Sequence, residues 1–149
     1  MTTIRNSIKA IIRENDSVLL IRKQDSLGDY YLFPGGGQDK CEDMRSTLRR
    51  ECVEEIGVEV VVEDIQLIRE YIGKNHEFSS SDSEVHQVEI YFSCRLARDA
   101  APMNGSNIDD GQLSVDWVPI SAFENTRIYP QALKNEFISP SKVYCGDVN

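Results

Sequence analysis

Glu51, Glu54 and Glu55 stand close together in the chain, directly after Arg50 and downstream of three consecutive glycines, Gly35 to Gly37. On a helix turning about 100° per residue these acids fall within about a third of a turn, with Glu51 and Glu55 about 40° apart. Like charges at i,i+3 and i,i+4 disfavour an isolated helix by about 0.2–0.5 kcal/mol per pair, and only Arg50, at i,i+4 to Glu54, offers local relief. Carboxylates crowded in this way suit a hard divalent cation, because Mg²⁺ takes oxygen ligands, keeps some of its waters and is completed by substrate phosphate oxygens. The chemistry open to such a face is substitution at phosphorus: the charge on a diphosphate is neutralised, and a bound water is made acidic and held in line with the P–O bond to be cut. A bare run of glutamates is also what a solvated helix face looks like, so the surrounding residues must decide.

The surroundings position these acids. Pro34 and the glycines interrupt regular structure before them, Glu42 and Asp43 suit a helix N-terminus, and Gly57 sits where a C-cap belongs, so a helix is expected over about 43–56. Met44, Leu48, Cys52 and Ile56 form its apolar stripe. Glu55 borders that stripe, where partial burial would raise its proton affinity and suit it to act as a base.

The spacing Gly36-x5-Glu42-x7-Arg50-Glu51-Cys52-x-Glu54-Glu55-x-Gly57-Val58 resembles the signature of the Nudix hydrolases at every fixed position, Cys52 standing where that family usually has a larger aliphatic residue. The resemblance implies an α/β (α+β) fold, an α/β/α sandwich around a mixed central sheet. It also implies Mg²⁺- or Mn²⁺-dependent hydrolysis of a nucleoside diphosphate linked to another group. Glu51, Glu54, Glu55 and Arg50 would form the catalytic set, and Glu51, Glu54, Glu55 and the Gly36 carbonyl would hold the metal. Arg50 would pair with Glu42 to orient the carboxylates, with Gly57 closing the box. Some Nudix enzymes recruit a further carboxylate from a loop ahead of a Trp-bearing strand, which here points to Asp109 or Asp110 before Ser114–Val118. Family members often dimerise.

Along the rest of the chain, Ile8, Ala10 and Ile12 alternate with polar residues, and Val18–Ile21 follows the turn residues Asn15 to Ser17, which predicts a hairpin. Arg22 and Lys23 end the second strand and are candidates to meet phosphates. Tyr30-Tyr31-Leu32-Phe33 is a short strand delivering Pro34 to the box, in which Tyr30 or Tyr31 is a candidate to stack on a base. Val58–Val62 and Ile65–Ile72 read as two strands, 73–84 as a mobile loop able to gate or select substrate, and 88–96 as the clearest alternating strand. On that strand Glu89 shares a face with Tyr91 and is a candidate extra ligand or base. Residues 98–112 read as a second long loop. Pro119–Phe123 and the stretch after Pro130, with Leu133 and Phe137 at i,i+4, predict short helices covering the sheet opposite the box, and 139–149 is expected to be a loosely held tail. His76 and His86 lack ligand-spaced partners.

The 149 residues suit one domain, with 40% hydrophobic and 28% charged residues as in an ordinary globular protein. A net charge of −9 argues against a nucleic-acid polymer or an anionic membrane as the main partner and for a small nucleotide approached through cations. The N-terminal residues resemble neither a signal peptide nor an anchor, and Cys41, Cys52, Cys94 and Cys145 form no CxxC pair, so a cytoplasmic protein with reduced thiols is expected. No proline lies between Pro34 and Pro102, where ADP-ribose hydrolases of the family carry one, and Tyr71 comes early for the diadenosine polyphosphate group. Only a fragment of the coenzyme A motif is present. A (deoxy)nucleoside triphosphate or another small nucleotide derivative is therefore favoured. The alternatives are a nucleotide or sugar-nucleotide sensor without catalysis, ADP-ribose hydrolysis, and removal of pyrophosphate from an RNA 5′ end.

Overall fold

A computed structural model describes residues 3–97 and 100–149; the first two residues of the N-terminal stretch, and Arg98 at the start of the second expected loop, lie outside them. Alternating Ile8, Ala10 and Ile12 build β1 (Arg5–Glu14), and the continuous apolar run Val18–Ile21, buried on both faces, builds β2 (Ser17–Asp25); the two meet only at their hairpin end, Arg13 opposite Val18 and Glu14 opposite Ser17. The turn works because Asn15 and Asp16 both adopt positive φ, which these short polar side chains tolerate.

Two sheet halves grow from this hairpin. On one side β2 pairs antiparallel with β3 (Gly28–Leu32) and with β7 (Ser114–Pro119). On the other, β1 pairs antiparallel with β4 (Gly35–Gly37) and parallel with β6 (His86–Leu96), which pairs antiparallel with β5 (Val60–Ile72). The two strands expected at 58–62 and 65–72 are thus one. Its register shifts between Val62 and Leu67 let the chain carry Glu63 and Asp64 through without breaking the pairing.

The helix α1 (Met44–Ile56) covers one face of the sheet. Leu48, Cys52 and Ile56 are fully buried against Ile8, Ala10, Ile12, Leu19 and Ile21. Asp43 caps it, its carboxylate accepting the Ser46 N–H at 2.8 Å, and Gly57 ends it in the left-handed conformation. The opposite face is closed by a second core, in which Phe123, Ile128, Leu133 and Phe137 pack on Ile11, Val18, Leu20 and Tyr91. Phe123, Leu133 and Phe137 come from 3-10 turns at Ile120–Asn125 and Gln131–Leu133 and from a short helix, Lys134–Ile138, as the spacing predicts, and Ile128 lies between them in an isolated bridge to Tyr31. All four cysteines are free, and no helix among the described residues is long and apolar enough to cross a membrane.

Two expectations are corrected. The stretch 73–84 is not a featureless loop: it holds a 3-10 turn at Gly73–Asn75 and α2 (Ser79–Asp82). Nor is 139–149 a loose tail, because Tyr144–Asp147 forms β8, parallel to β5 at the sheet edge. Asp147 joins the two corrected segments. Its carboxylate accepts the Ile72 N–H at 2.9 Å, the Asn75 amide at 2.8 Å and contacts His76 Nε2 at 2.6 Å. These partners hold its pKa below the usual carboxylate range against the opposing effect of burial. Asp147→Ala strands the Ile72 N–H and frees both side chains, and is expected to destabilise the fold by about 1–3 kcal/mol, with faster amide exchange over 72–76. Unchanged melting and exchange would remove this anchor from the account.

Candidate active site

Arg50 organises the box. Its Nε and Nη2 donate to the two oxygens of Glu42, both at 2.9 Å, its Nη1 donates to Glu51 at 3.0 Å and to Glu54 at 3.4 Å, and Nη2 reaches the Gly37 carbonyl at 3.3 Å. The fork therefore ties the helix to the segment before it and to the glycine strand, in the bidentate geometry that a guanidinium favours. The pair expected between Arg50 and Glu42 is present. Together with the Thr47 hydroxyl at 2.7 Å it lowers Glu42 to a pKa of about 2.

The glycines admit the acids. A side chain at Gly36 would come within 2.5 Å of the Glu51 carboxylate, so that carboxylate lies directly on the bare backbone of β4. One step back, the Gly35 N–H donates to Glu55 at 2.8 Å, and Gly35 holds a φ of +138° that other residues rarely adopt. Glu55 is 4% exposed, and burial raises its pKa to about 7 against the lowering effects of the Gly35 N–H and of Lys9. Burial raises Glu51 as well, opposed by Arg50. Glu54 stays closer to solvent.

Among the described residues no three acidic, histidine or cysteine side chains sit close enough together to enclose an ion as they stand. Arg50 draws Glu51 and Glu54 to itself, and Gly35 holds one oxygen of Glu55. The donor set nevertheless fits Mg²⁺ or Mn²⁺ in kind: it offers carboxylate and carbonyl oxygens only, with two carboxylates whose buried charge a cation would stabilise.

Beside the box opens a cleft of about 460 Å³, lined at this end by Gly35, Gly36 and Asp109 and farther out by Tyr30, Arg127, Tyr129 and Phe78. Of the two tyrosine candidates, Tyr30 lines the cleft. Tyr31 belongs to the opposite side of β3, packs on the second core and donates its hydroxyl to Asp116 at 3.1 Å. Arg22 pairs with Asp29 and Asp116, and Lys23 with Asp109 at 2.6 Å, so neither is the free cation that their place at a strand end suggests. Asp109 reaches the cleft, whereas Asp110 is exposed on the turn beyond it. Glu89 faces the cleft floor but is bound at both oxygens by Arg69, at 2.9 and 3.0 Å, and accepts the Tyr91 hydroxyl at 2.5 Å; it is held as a carboxylate there. Sequence reasoning missed Arg69 and Arg127. The signal for Arg69 was a charge at a position of β5 flanked by Leu67 and Tyr71, which only the neighbouring Glu89 explains.

The NUDIX domain family matches residues 3–136, and the chain belongs to that family: it is a Nudix hydrolase domain. A curated relative, nucleoside diphosphate-linked moiety X motif 6 of Xenopus laevis, is 30% identical over 83 residues, which is 56% of this chain and 35% of that protein. The chain thus matches about a third of that relative's length. In fold it is similar to a NUDIX hydrolase from Nitrosomonas europaea (TM-score 0.71, 18% identity, 95% of this chain and 93% of that one). It is similar also to a MutT NUDIX hydrolase from Burkholderia pseudomallei (TM-score 0.70, 17% identity, 92% and 99%).

The buried acid has a thermodynamic signature. A carboxyl whose folded pKa lies near 7 and whose ordinary value lies near 4.5 is fully accommodated below pH 4.5, and that contribution is lost as pH rises toward 7, by an amount on the order of 3 kcal/mol. In chelator, Glu55→Gln is expected to melt above the parent at pH 8 and to lose most of that advantage at pH 5. An equal difference at both pH values would show that Glu55 does not titrate this way.

Proposed function

We propose that the protein is a divalent-metal-dependent pyrophosphohydrolase cleaving a nucleoside diphosphate linked to another group, with a (deoxy)nucleoside triphosphate or a similarly small nucleotide as substrate. The observation that carries this reading is the seating of Glu51 and Glu55 on the bare backbone of Gly35 and Gly36, at the end of a cleft with an aromatic wall. The Gly36 carbonyl, Glu51, Glu54 and Glu55 would hold Mg²⁺ or Mn²⁺, which when bound neutralises the diphosphate and makes a water acidic.

The chain's own residues do the rest. Arg50 keeps the carboxylates oriented and repays their mutual repulsion. Glu55, buried at the end of the cleft and tethered by the Gly35 N–H, is placed to take a proton from the attacking water. Tyr30 offers a ring face to a base at the far side of the cleft, whose volume falls in the range of small-molecule sites. The retention of all three box acids together with Arg50 speaks for turnover over binding alone. The name of the Xenopus relative, which specifies a nucleoside diphosphate-linked moiety, agrees with the bond proposed.

The test is a phosphate- and pyrophosphate-release screen over nucleoside triphosphates, dinucleotides, ADP-ribose and nucleotide sugars with Mg²⁺ and with Mn²⁺. Activity on the triphosphates is expected, falling about 10²- to 10⁴-fold in Glu51→Gln and Glu55→Gln with the fold intact. Gly36→Ala should fall about 100-fold, because the new methyl displaces Glu51. Silence from a folded protein on every substrate would instead favour a sensor.

A further inference from the structure

The floor of the cleft is one face of the sheet, and strand register gives each side chain its address. Arg5, Ser7 and Lys9 of β1 oppose Gln87, Glu89 and Tyr91 of β6, which oppose Tyr71, Arg69 and Leu67 of β5. On the other flank Ser7 and Lys9 face Gly37 and Gly35, which contribute backbone alone. The reverse side of β1 is the apolar row Ile8, Ala10 and Ile12, whereas the cleft side becomes apolar only at Ile11. A central strand covered on both faces is usually apolar on both, so three polar residues in a row call for a reason.

Charge accounting supplies one. Four cations line the cleft: Arg5, Lys9, Arg69 and Arg127. Glu89 holds Arg69, and Asp25 holds Arg127 at 2.7 Å. The other acids of the lining are also engaged, Asp82 by the Tyr71 hydroxyl and Asp109 by Lys23. Among the described residues, Arg5 and Lys9 make no salt bridge, so two cations on a single strand of this lining stand without a paired acid, against one acid, Asp82, that is bonded to a neutral hydroxyl. Lys9 flanks Gly35, whose N–H holds Glu55, and Arg5 lies over Gly37.

We propose that Lys9 and Arg5 form an anion track along β1. Lys9 holds the phosphate at the bond to be cut, beside Glu51 and Glu55, and Arg5 holds a phosphate farther along, so the site selects a chain of three phosphates over a diphosphate that ends in an uncharged group. This rests on the function proposed above and narrows its substrate class. Four strand positions separate the two Cα atoms by about 13 Å, a span that two long side chains leaning inward close to the length of a triphosphate. The competing role for Lys9 is structural, balancing the box acids and Glu89, whose proton affinity its charge lowers.

Calorimetric titration with inorganic pyrophosphate and tripolyphosphate in Mg²⁺ separates the two roles. Lys9→Met is expected to weaken both ligands about 10- to 100-fold, as loss of a charged hydrogen bond does, with partial recovery in Lys9→Arg. Arg5→Met should weaken tripolyphosphate about 10-fold, leave pyrophosphate within about twofold, and raise KM for a nucleoside triphosphate more than for a nucleotide sugar. Parent-like affinities in Lys9→Met, with only melting altered, would make the lysine structural and overturn the track. An equal effect of Arg5→Met on both ligands would overturn it as well. A folded parent that binds neither polyphosphate would defeat the functional reading and the track together, whereas parent binding with unaffected variants defeats the track alone.

Discussion

Three like charges on one helix face must be held together against their own repulsion, and the structure does this with one arginine and a strand that has no side chains. Arg50 reaches Glu42, Glu51, Glu54 and the Gly37 carbonyl at once, so the helix, the segment before it and β4 are fixed by a single planar group. Gly36 then lets Glu51 approach where a methyl would stand in the way, and Gly35, where a methyl would instead strike the Ile8 carbonyl, lends Glu55 its N–H. Burying a carboxylate in this way costs stability in the free protein, in keeping with the upward shift of the Glu55 pKa. Proteins commonly store such strain where a ligand will relieve it.

The remaining architecture presents that face to a cleft. Two hydrophobic cores, one under α1 and one under the C-terminal helical turns, hold the sheet from both sides and leave the floor over β1, β6 and β5 polar. The cleft walls come from distant parts of the chain: β3, the segment carrying Arg127 and Tyr129, and the connection carrying Phe78. Arg127 lies over the rings of both Tyr30 and Tyr129 and is locked by Asp25, and Phe78 meets Tyr129 edge-on. Asp147, from β8, fixes the start of that last connection, so the end of the described chain supports a wall of the site.

The box was legible because everything that defines it is local: a cap, a stripe, a glycine stop and carboxylates at helical spacing all lie between Gly36 and Val58. The hairpin and the alternation of β6 were legible for the same reason. What escaped depends on partners far along the chain. Arg22 and Lys23 look like free cations until Asp116 and Asp109 arrive beside them, and Glu89 looks like a ligand until Arg69 occupies both its oxygens. Strand β5 looked like two because Glu63 and Asp64 sit in its bulge, and β8 has too few residues to show a period, its place being set by β5 and Asp147.

The central claim is that the box acids are gathered to grip a divalent cation. Its most direct test is Mn²⁺ binding to the folded protein in the absence of nucleotide, followed by electron paramagnetic resonance and displaced with Mg²⁺. Saturable binding that Mg²⁺ competes away, and that weakens at least about tenfold when Glu51 and Glu55 are both replaced by glutamine, is the predicted result. Equal Mn²⁺ affinity in the parent and the double variant would contradict it.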